Sequence, residues 1–527
     1  MMRLLAASLI TLGAIAGVAG AAQVEVENLQ PRYWGGNTVR PVIRVTDEGE
    51  GRPLHVTWTV VFADHVVEGE VRGITGPGAQ EVSIDLPTVR ARIRATLKVQ
   101  LLRDKDLLAR AECPLELFPV GTLTDLKDTF GNRSVGIVAS QEVAQALSEA
   151  VPINWEALGS AAAVRRFKGR FVLVVAERPF DRRSDLASAL LSRVEDGMNL
   201  ACVGGITALT GDARQGPEPR PDSGKEARVL APGHGLLANL RPGDLARWGR
   251  DGEVVQALPG LPAGGNYITV LDLPSDEAPR PLALEVRQGS GRILYCGLPV
   301  LEKLREEPVA EVVVANILRW GPEGAFPFQN PCGYFEEGSG LEDALEKLGV
   351  KFRSSGGEDA DIVLGDESLL DPKRGTPMLD LLETGGTAVL FHLSAEGLES
   401  LNELLRSRWE RDVRGEPPRL ALEESDQSGI EGLEELGSHP LLAGVRPEDV
   451  RSLGQWAEGE KVLAVRAIGD EAHFRYLIGK GIIAKLERDG VRIVFWQAPL
   501  NEKDVAAQKR VLSSVLTNLG VRLEPPG

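Results

Sequence analysis

Residues 23 to about 119 alternate apolar and polar positions in short runs, among them Thr38–Val45, His55–Val61, Gln80–Leu86 and Ile93–Leu101. Turn-forming stretches such as Asp47–Gly51 and Gly73–Gly78 separate these runs. Period-2 runs at regular spacing predict an antiparallel β-sandwich, with Trp58 as a core anchor. After residue 132 the pattern changes. Val135–Ala139, Phe171–Val175 and Asn199–Val203 are continuous apolar runs, and helical patterns at Gln141–Ala150 and Ser184–Asp196 lie among them. Apolar strands alternating with helices predict a parallel α/β sheet covered on both faces. A late hairpin follows, Leu282–Val286 and Arg292–Cys296 turning at Gln288–Gly291, and then a helix over Ala310–Arg319.

The plan then repeats. Helices are expected at Leu341–Leu348, Pro377–Glu383, Glu396–Arg406 and Ala506–Leu519. Strands are expected at Asp361–Leu364, Ala388–His392, Val462–Ile468, Tyr476–Leu486 and Arg492–Trp496. Two polar stretches, 206–232 and 411–437, read as surface excursions. The duplication is also visible in the letters. HGLLANLRPGDL at 234–245 matches HPLLAGVRPEDV at 439–450, and GRILYCGLP at 291–299 matches VRIVFWQAP at 491–499. Matched blocks in the same order argue for a duplicated domain.

Composition adds bounds. The chain has 527 residues, 43% hydrophobic and 26% charged, ordinary values for a globular protein of about three domains. A net charge of −17 opposes an extended nucleic-acid footprint. Arg3, the apolar run Leu4–Val18 and Ala19-Gly20-Ala21 have the order of a cleaved export signal, which puts the mature protein outside the cytoplasm: periplasmic, surface-bound or secreted. No later stretch has the ~20 apolar residues of a membrane span. The expected divisions are 1–21 signal, 22–119 sandwich, 120–132 linker, 133–321 first α/β domain, 322–340 connector and 341–527 second α/β domain. Four cysteines, at 113, 202, 296 and 332, are too few for a disulfide framework. If any pair were bridged, Cys202 and Cys296 would be it, since both lie near strand ends of one domain.

Candidate chemistry is sparse. Phosphate-loop, dinucleotide-binding and G-x-S-x-G signatures are absent, so no cofactor is expected. His234 and His439 occupy equivalent repeat positions. Each is expected to begin a turn-plus-helix element and bond a backbone group, with ligand contact as the sharper reading. Neither has a second metal ligand at i+2 to i+4. Asp244 and Asp449 follow ten residues later and are expected to brace the same element. Trp248 and Trp456 read as packing, with a sugar-stacking platform as the sharper alternative.

The strand–helix alternation, the Gly-preceded strands at 197–203 and 385–392, and the late strand ending in Gly/Gln-x-Pro resemble class I glutamine-amidotransferase-like domains of flavodoxin type. The order of an Ig-like sandwich followed by two such domains is similar to the C-terminal accessory region of some bacterial family 2 glycoside hydrolases. No stretch here reads as the barrel of those hydrolases, which takes about 250 residues. The amidotransferase chemistry needs a cysteine in G-x-C-x-G and a late-strand histidine base. The first copy has Leu200-Ala201-Cys202-Val203-Gly204, and its late strand, Tyr295–Pro299, has no histidine. In the second copy Leu390 aligns with Cys202 and His392 with Gly204; Phe495–Pro499 again lacks histidine. The resemblance therefore implies degenerate, non-catalytic domains and carbohydrate as the ligand class. A ligand is expected at the carboxyl edge of the parallel sheets, with Ser140, Glu177, Arg178, Cys202, Gly204, Gly205, His234, His392 and His439 as candidate contacts. A glycan- or amide-acting hydrolase and a self-assembling envelope protein remain the alternatives.

Overall fold

The computed structural model describes residues 22–46, 54–62, 65–74, 78–176, 185–204, 220–222, 226–245, 255–258, 260–262, 265–275, 278–324, 328–353, 361–371, 377–409, 419–425, 439–453, 462–468, 473–498, 500 and 505–524. Segment 1–21, expected to be an export signal, lies outside them, as does most of both polar excursions. The protein is of mixed α/β class, built from several sheets, three of them with at least one parallel pair of strands. It divides into two compact units, one of residues 1–131 with 149–153 and 300–315, the other of the remainder.

In the first unit the strands are β1 (Gln23–Glu27), β2 (Arg32–Trp34), β3 (Thr38–Val39), β4 (Val42–Thr46), β5 (Leu54–Phe62), β6 (His65–Ile74), β7 (Gly78–Glu81), β8 (Ile84–Asp85), β9 (Ile93–Arg103) and β10 (Asp106–Phe118). They form sheets of order β1-β4-β7, β2-β10-β9-β5-β6 and β3-β8. Pairing is antiparallel except between β10 and β2. Burial alternates strictly along β5, so Leu54, Val56, Trp58, Val60 and Phe62 face the core. Trp58 pairs with Gly69 of β6, where a Cβ would lie 2.3 Å from the indole. Only glycine leaves room for the ring. The run expected over Thr38–Val45 is split in two, with Arg40 and Pro41 between the strands. Proline has no N–H to give a ladder. A short helix, α1 (Leu126–Phe130), follows.

The second unit holds the sheets of both α/β copies; residues 149–153 and 300–315 of the first copy are counted with the first unit. In the first copy β11 (Ser134–Val138), α2 (Gln141–Ala150), β12 (Asn154–Ala157), α3 (Ala161–Arg166), β13 (Phe171–Ala176), α4 (Asp185–Glu195) and β14 (Asn199–Gly204) alternate as expected. Then come β15 (Arg220–Asp222), β16 (Arg228–Val229), α5 (Pro242–Leu245), β17 (Val255–Ala257), β18 (Asn266–Asp272), β19 (Pro281–Gln288), β20 (Gly291–Cys296) and α6 (Pro308–Trp320). The sheet runs β12-β11-β13-β14-β20-β19-β18-β16. The first five strands are mutually parallel, and the last three turn antiparallel. A separate ladder pairs β15 with β17.

The second copy contains β21 (Cys332–Tyr334), α7 (Leu341–Lys347), β22 (Ile362–Gly365), α8 (Pro377–Thr384), β23 (Gly386–Phe391), α9 (Ala395–Trp409), β24 (Arg419–Ser425) and α10 (Pro447–Leu453). It closes with β25 (Val462–Ile468), β26 (Phe474–Ile478), β27 (Ile483–Arg488), β28 (Val491–Trp496) and α11 (Val505–Leu519). The sheet order is β21-β22-β23-β28-β27-β26, parallel over the first four, and β24 pairs with β25 apart from it. Its central strands read as unbroken apolar runs because both faces are buried. Val389, Phe391, Val494 and Trp496 enter one core, while Ala388, Leu390, Ile493 and Phe495 enter the other.

Two further expectations are corrected. The single strand expected over Tyr476–Leu486 is two, β26 and β27, joined through Gly479-Lys480-Gly481, whose φ angles of 58°, 52° and 117° turn the chain. The excursion at 411–437 contains β24, held by the neighbouring ladder of β25.

Candidate functional site

The described candidate residues fall into two places. Ser140 follows β11, and its Oγ accepts the Val143 N–H at 3.4 Å at the start of α2. Cys202 and Gly204 end β14, Gly204 with φ 89°. His392 follows β23 in the other copy with φ 51°. All four mark carboxyl ends of parallel strands. Glu177, Arg178 and Gly205 lie outside the described residues. His234 and His439 are elsewhere: their neighbours lie toward the amino ends of β20 and β28.

Cys202 is buried within the sheet, and loss of water pushes its thiol up to about 12. A thiol so placed stays protonated at neutral pH and is a poor nucleophile. It pairs with Tyr295 across the parallel ladder, while Cys296 pairs with Val203. Successive strand residues point to opposite faces, so the two sulfurs lie on opposite sides of the sheet. Both are free thiols. The His392 Nε2 lies 2.8 Å from the Ala498 carbonyl and so donates to it, which commits that nitrogen to structure. Burial lowers the His392 pKa.

The two repeated histidines begin matching 3-10 turns, Gly235–Leu237 and Pro440–Leu442. His234 Nδ1 accepts the Leu236 N–H at 3.1 Å, and His439 Nδ1 accepts the Leu441 N–H at 3.2 Å. An asparagine of the closing helix clamps each turn. Asn316 Nδ2 donates to the Leu236 and Ala238 carbonyls, and Asn518 Nδ2 to those of Leu441 and Ala443. Asp244 accepts the Arg241 N–H at 2.8 Å, and Asp449 pairs with Arg510 at 2.6 Å. The repeated motif is therefore a capped turn with a helical clamp.

Beyond that frame the copies differ. In the first, the proton on His234 Nε2 points to Glu285 Oε2 at 3.0 Å. The same oxygen accepts from Trp320 Nε1 at 2.8 Å and Arg292 Nη1 at 3.5 Å, while Arg287 Nε reaches Oε1 at 2.8 Å. Arg292 also stacks on the Trp320 ring, 4.6 Å from its centroid. Burial raises the Glu285 pKa, but the bond from His234 and the charges of Arg287 and Arg292 outweigh it, and the carboxyl is held well below its usual range. The cluster is a buried carboxylate enclosed by donors.

Register locates the counterparts. Glu285 pairs with Leu294 and Arg287 with Arg292; in the second copy Lys485 pairs with Val494 and Glu487 with Arg492. Lys485 thus stands where Glu285 does, and Glu487 where Arg287 does. Glu487 accepts from Lys485 Nζ at 2.6 Å and Arg492 Nη2 at 2.8 Å, and these bonds, from Lys485 first, hold its pKa at about 2. His439 is half-buried. Burial first, then the charges of Lys485, Arg492 and Arg475 against that of Glu487, lower its pKa.

The copies meet through other surfaces, β16 and β18 of the first against α10 and α11 of the second. Arg228 binds Asp272 at 2.7 and 2.9 Å and Glu448 at 2.7 and 2.8 Å. Arg446 reaches Asp272 at 3.3 Å and the Ser275 carbonyl at 2.6 Å. Asn266 Nδ2 donates to Thr517 and to the Val521 carbonyl. Gly444, at φ 82°, is so close that a Cβ would sit 3.0 Å from the Thr269 nitrogen. Arg228 and Asp272 were not singled out in the sequence, and Arg446 and Glu448 appeared there only as letters of the repeated block. Among the described residues no group of three His, Cys, Asp or Glu side chains could hold a metal ion, and no helix is long and apolar enough to cross a membrane.

No protein-family model matches the chain, and no curated protein matches it. Among solved structures, the sporulation control protein Spo0M from Bacillus subtilis is 13% identical over 21% of this chain and 56% of its own, at a TM-score of 0.16. The Pseudomonas fluorescens alkylpurine DNA glycosylase AlkC, bound to DNA, is 12% identical over 18% and 29%, at a TM-score of 0.14. The Parabacteroides merdae β-glucuronidase is 10% identical over 35% and 24%, at 0.14. The chain spans just over half of the first of these proteins and less than a third of the other two, and likenesses of this size carry no argument about fold or function.

Proposed function

We propose that the protein is an exported binding or scaffold protein: an Ig-like sandwich followed by two degenerate, flavodoxin-type amidotransferase-like domains, with carbohydrate as the ligand class. The observation that carries the reading is the state of Cys202. Its surroundings, Leu200-Ala201-Cys202-Val203-Gly204, partly resemble the G-x-C-x-G of an amidotransferase nucleophile, yet it is buried and its thiol is pushed up to about 12. Support for the domain type comes from the parallel order β12-β11-β13-β14-β20, in chain order second, first, third, fourth, fifth. The test is twofold. Purified protein is assayed for glutaminase and glycosidase turnover beside Cys202→Ala, and its melting is followed with oligosaccharides. The reading expects no turnover and a sugar-dependent rise in melting temperature, since a ligand at a hundred times its Kd stabilises by about 2.7 kcal/mol. Turnover that disappears in Cys202→Ala would sink it.

A second reading, self-assembly, draws on the junction of the copies. The first uses its β16–β18 edge and the second its α10–α11 face, a pairing of unlike surfaces. Contacts of that kind extend into chains when repeated between molecules. Strand β26, the counterpart of β18, ends its sheet and exposes 40% of Tyr476. Light scattering that stays monomeric from micromolar to millimolar protein would remove this reading.

A further inference from the structure

We propose that the second copy binds a carboxylate-bearing ligand at the face formed by His439, Arg475, Lys485 and Arg492, in the place where the first copy holds its own Glu285. The inference rests on the binding reading above and names the chemistry of one site.

The first copy is the template. There the capped-turn histidine, two arginines and an indole converge on one buried carboxylate. The second copy keeps the histidine as His439 and the strand-end arginine as Arg492. At the carboxylate's own register position it carries Lys485. Arg475 lies directly opposite Lys485 on the β26–β27 ladder. Like charges at paired positions destabilise a sheet, so this juxtaposition costs stability unless an anion lies between them. The one carboxylate nearby, Glu487, is bonded to Lys485 and Arg492 and leaves the histidine ring unserved. His439 Nδ1 is taken by Leu441 N–H; among the described residues Nε2 has no hydrogen-bond partner. Three cations therefore face one carboxylate in a chain whose net charge is −17. The cover differs too. Four residues beyond the clamping asparagine the first copy has Trp320, whose indole closes over Glu285, and the second has exposed Arg522. The first site is filled from within and shut. The second has the donors, carries Lys485 in place of the Glu285 carboxylate, lacks the indole lid, and exposes Arg475.

The test is calorimetric titration of the full chain at pH 7 and low salt with glucuronate, N-acetylglutamate and glucose. Both acids bind and glucose does not; the tighter acid tells whether a uronate-bearing glycan or an acidic amino acid is the source. Raising the salt weakens binding, since the site faces solvent. Lys485→Glu returns the internal carboxylate of the first copy, and we expect it to weaken binding at least about tenfold by occupying the site and reversing a charge. Arg475→Ser, at an exposed position, weakens it about threefold or more and decides the matter if Lys485→Glu does not fold. Arg44→Ser, on the β-rich unit, leaves binding unchanged. The proposal is overturned if neither acid gives heat, or if both variants fold and bind as the parent does. The two readings fail separately. Turnover of a glycan or amide would end the binding-protein reading without touching the effect of these variants on affinity. Sugar binding that ignores Lys485 and Arg475 would end the site and leave the binding-protein reading standing.

Discussion

Arg228 and Glu448 meet side-on across 220 residues of sequence, Nη1 to Oε1 at 2.7 Å and Nη2 to Oε2 at 2.8 Å, and in doing so join the two α/β copies. The same guanidinium forks onto Asp272, which is fully buried. Three arginines (228, 446 and 510) face three carboxylates (272, 448 and 449), so the junction is charge-balanced. Burial lowers the Arg228 pKa, but its bonds to Glu448 and Asp272 outweigh that and raise it. Removing one partner leaves buried charge uncompensated. Arg228→Ala should cost about 3 kcal/mol, read from urea unfolding, whereas exposed Arg451→Ala should stay within about 0.5 kcal/mol. An unmoved midpoint in Arg228→Ala would mean the network does not hold the copies together.

Acid should destabilise the second unit through named carboxylates. Glu285, Glu448 and Glu487 all have folded pKa values below the ordinary 4.5, Glu487 at about 2. A group depressed on folding contributes stability above its unfolded pKa and loses it as pH falls through the folded one. Urea midpoints should therefore hold from pH 7 to about 5 and fall between about 4.5 and 2. The share of Glu487, partly exposed, is small through solvent screening. Glu285→Gln should lower stability at pH 7 and flatten the acid slope; a slope equal to the parent's would remove Glu285 from the account.

The four cysteines are buried and free. With its thiol pushed up to about 12, Cys202 should resist alkylation by iodoacetamide at pH 8 in the native protein and react fully in urea. Rapid native labelling, located to Cys202 by peptide mass, would revive a nucleophilic role.

The two turn-starting histidines should be unequal. Each caps its turn, which predicts a loss of about 1 kcal/mol for His439→Ala. His234 also donates to Glu285, so His234→Ala leaves a buried carboxylate short of a donor and should cost about 1–3 kcal/mol more. Thermal melts of the two variants read the difference directly. Equal losses would show that the Glu285 bond adds nothing.

Elements with strong periodicity were legible. Gln141–Ala150 and Val462–Ile468 occur with the expected bounds, and the late hairpin turns at Gly289-Ser290. That each histidine begins a turn and bonds a backbone group was expected from their equivalent places in the repeat. What was missed has physical causes. β12, β16 and β18 are specified by pairing to distant strands rather than by local pattern. β24 lay inside a stretch dominated by charge. The Gly479-Lys480-Gly481 turn hid within an apolar run. The Glu285 cluster had one trace in the sequence, a lone glutamate inside LALEV, where a buried strand admits a charge only if it is satisfied. The arginines that satisfy it, and those that join the copies, come together only through register and long-range packing.

The asparagine clamps also bear on the order in which the protein can be finished as it is made. The turn at 234–238 waits for Asn316, about 80 residues later, and the turn at 439–443 for Asn518. The first copy can seal its turn once α6 has been synthesised. The second must wait for α11, and that helix and the residues just after it also hold Asn266 of the first copy. A chain emerging from the ribosome therefore has a first copy in which Asn266 stays without these partners until α11 arrives. Loss of only the residues from Thr517 onward would undo contacts in both copies at once, so a chain shortened by so little should be loosened far from the cut as well as beside it.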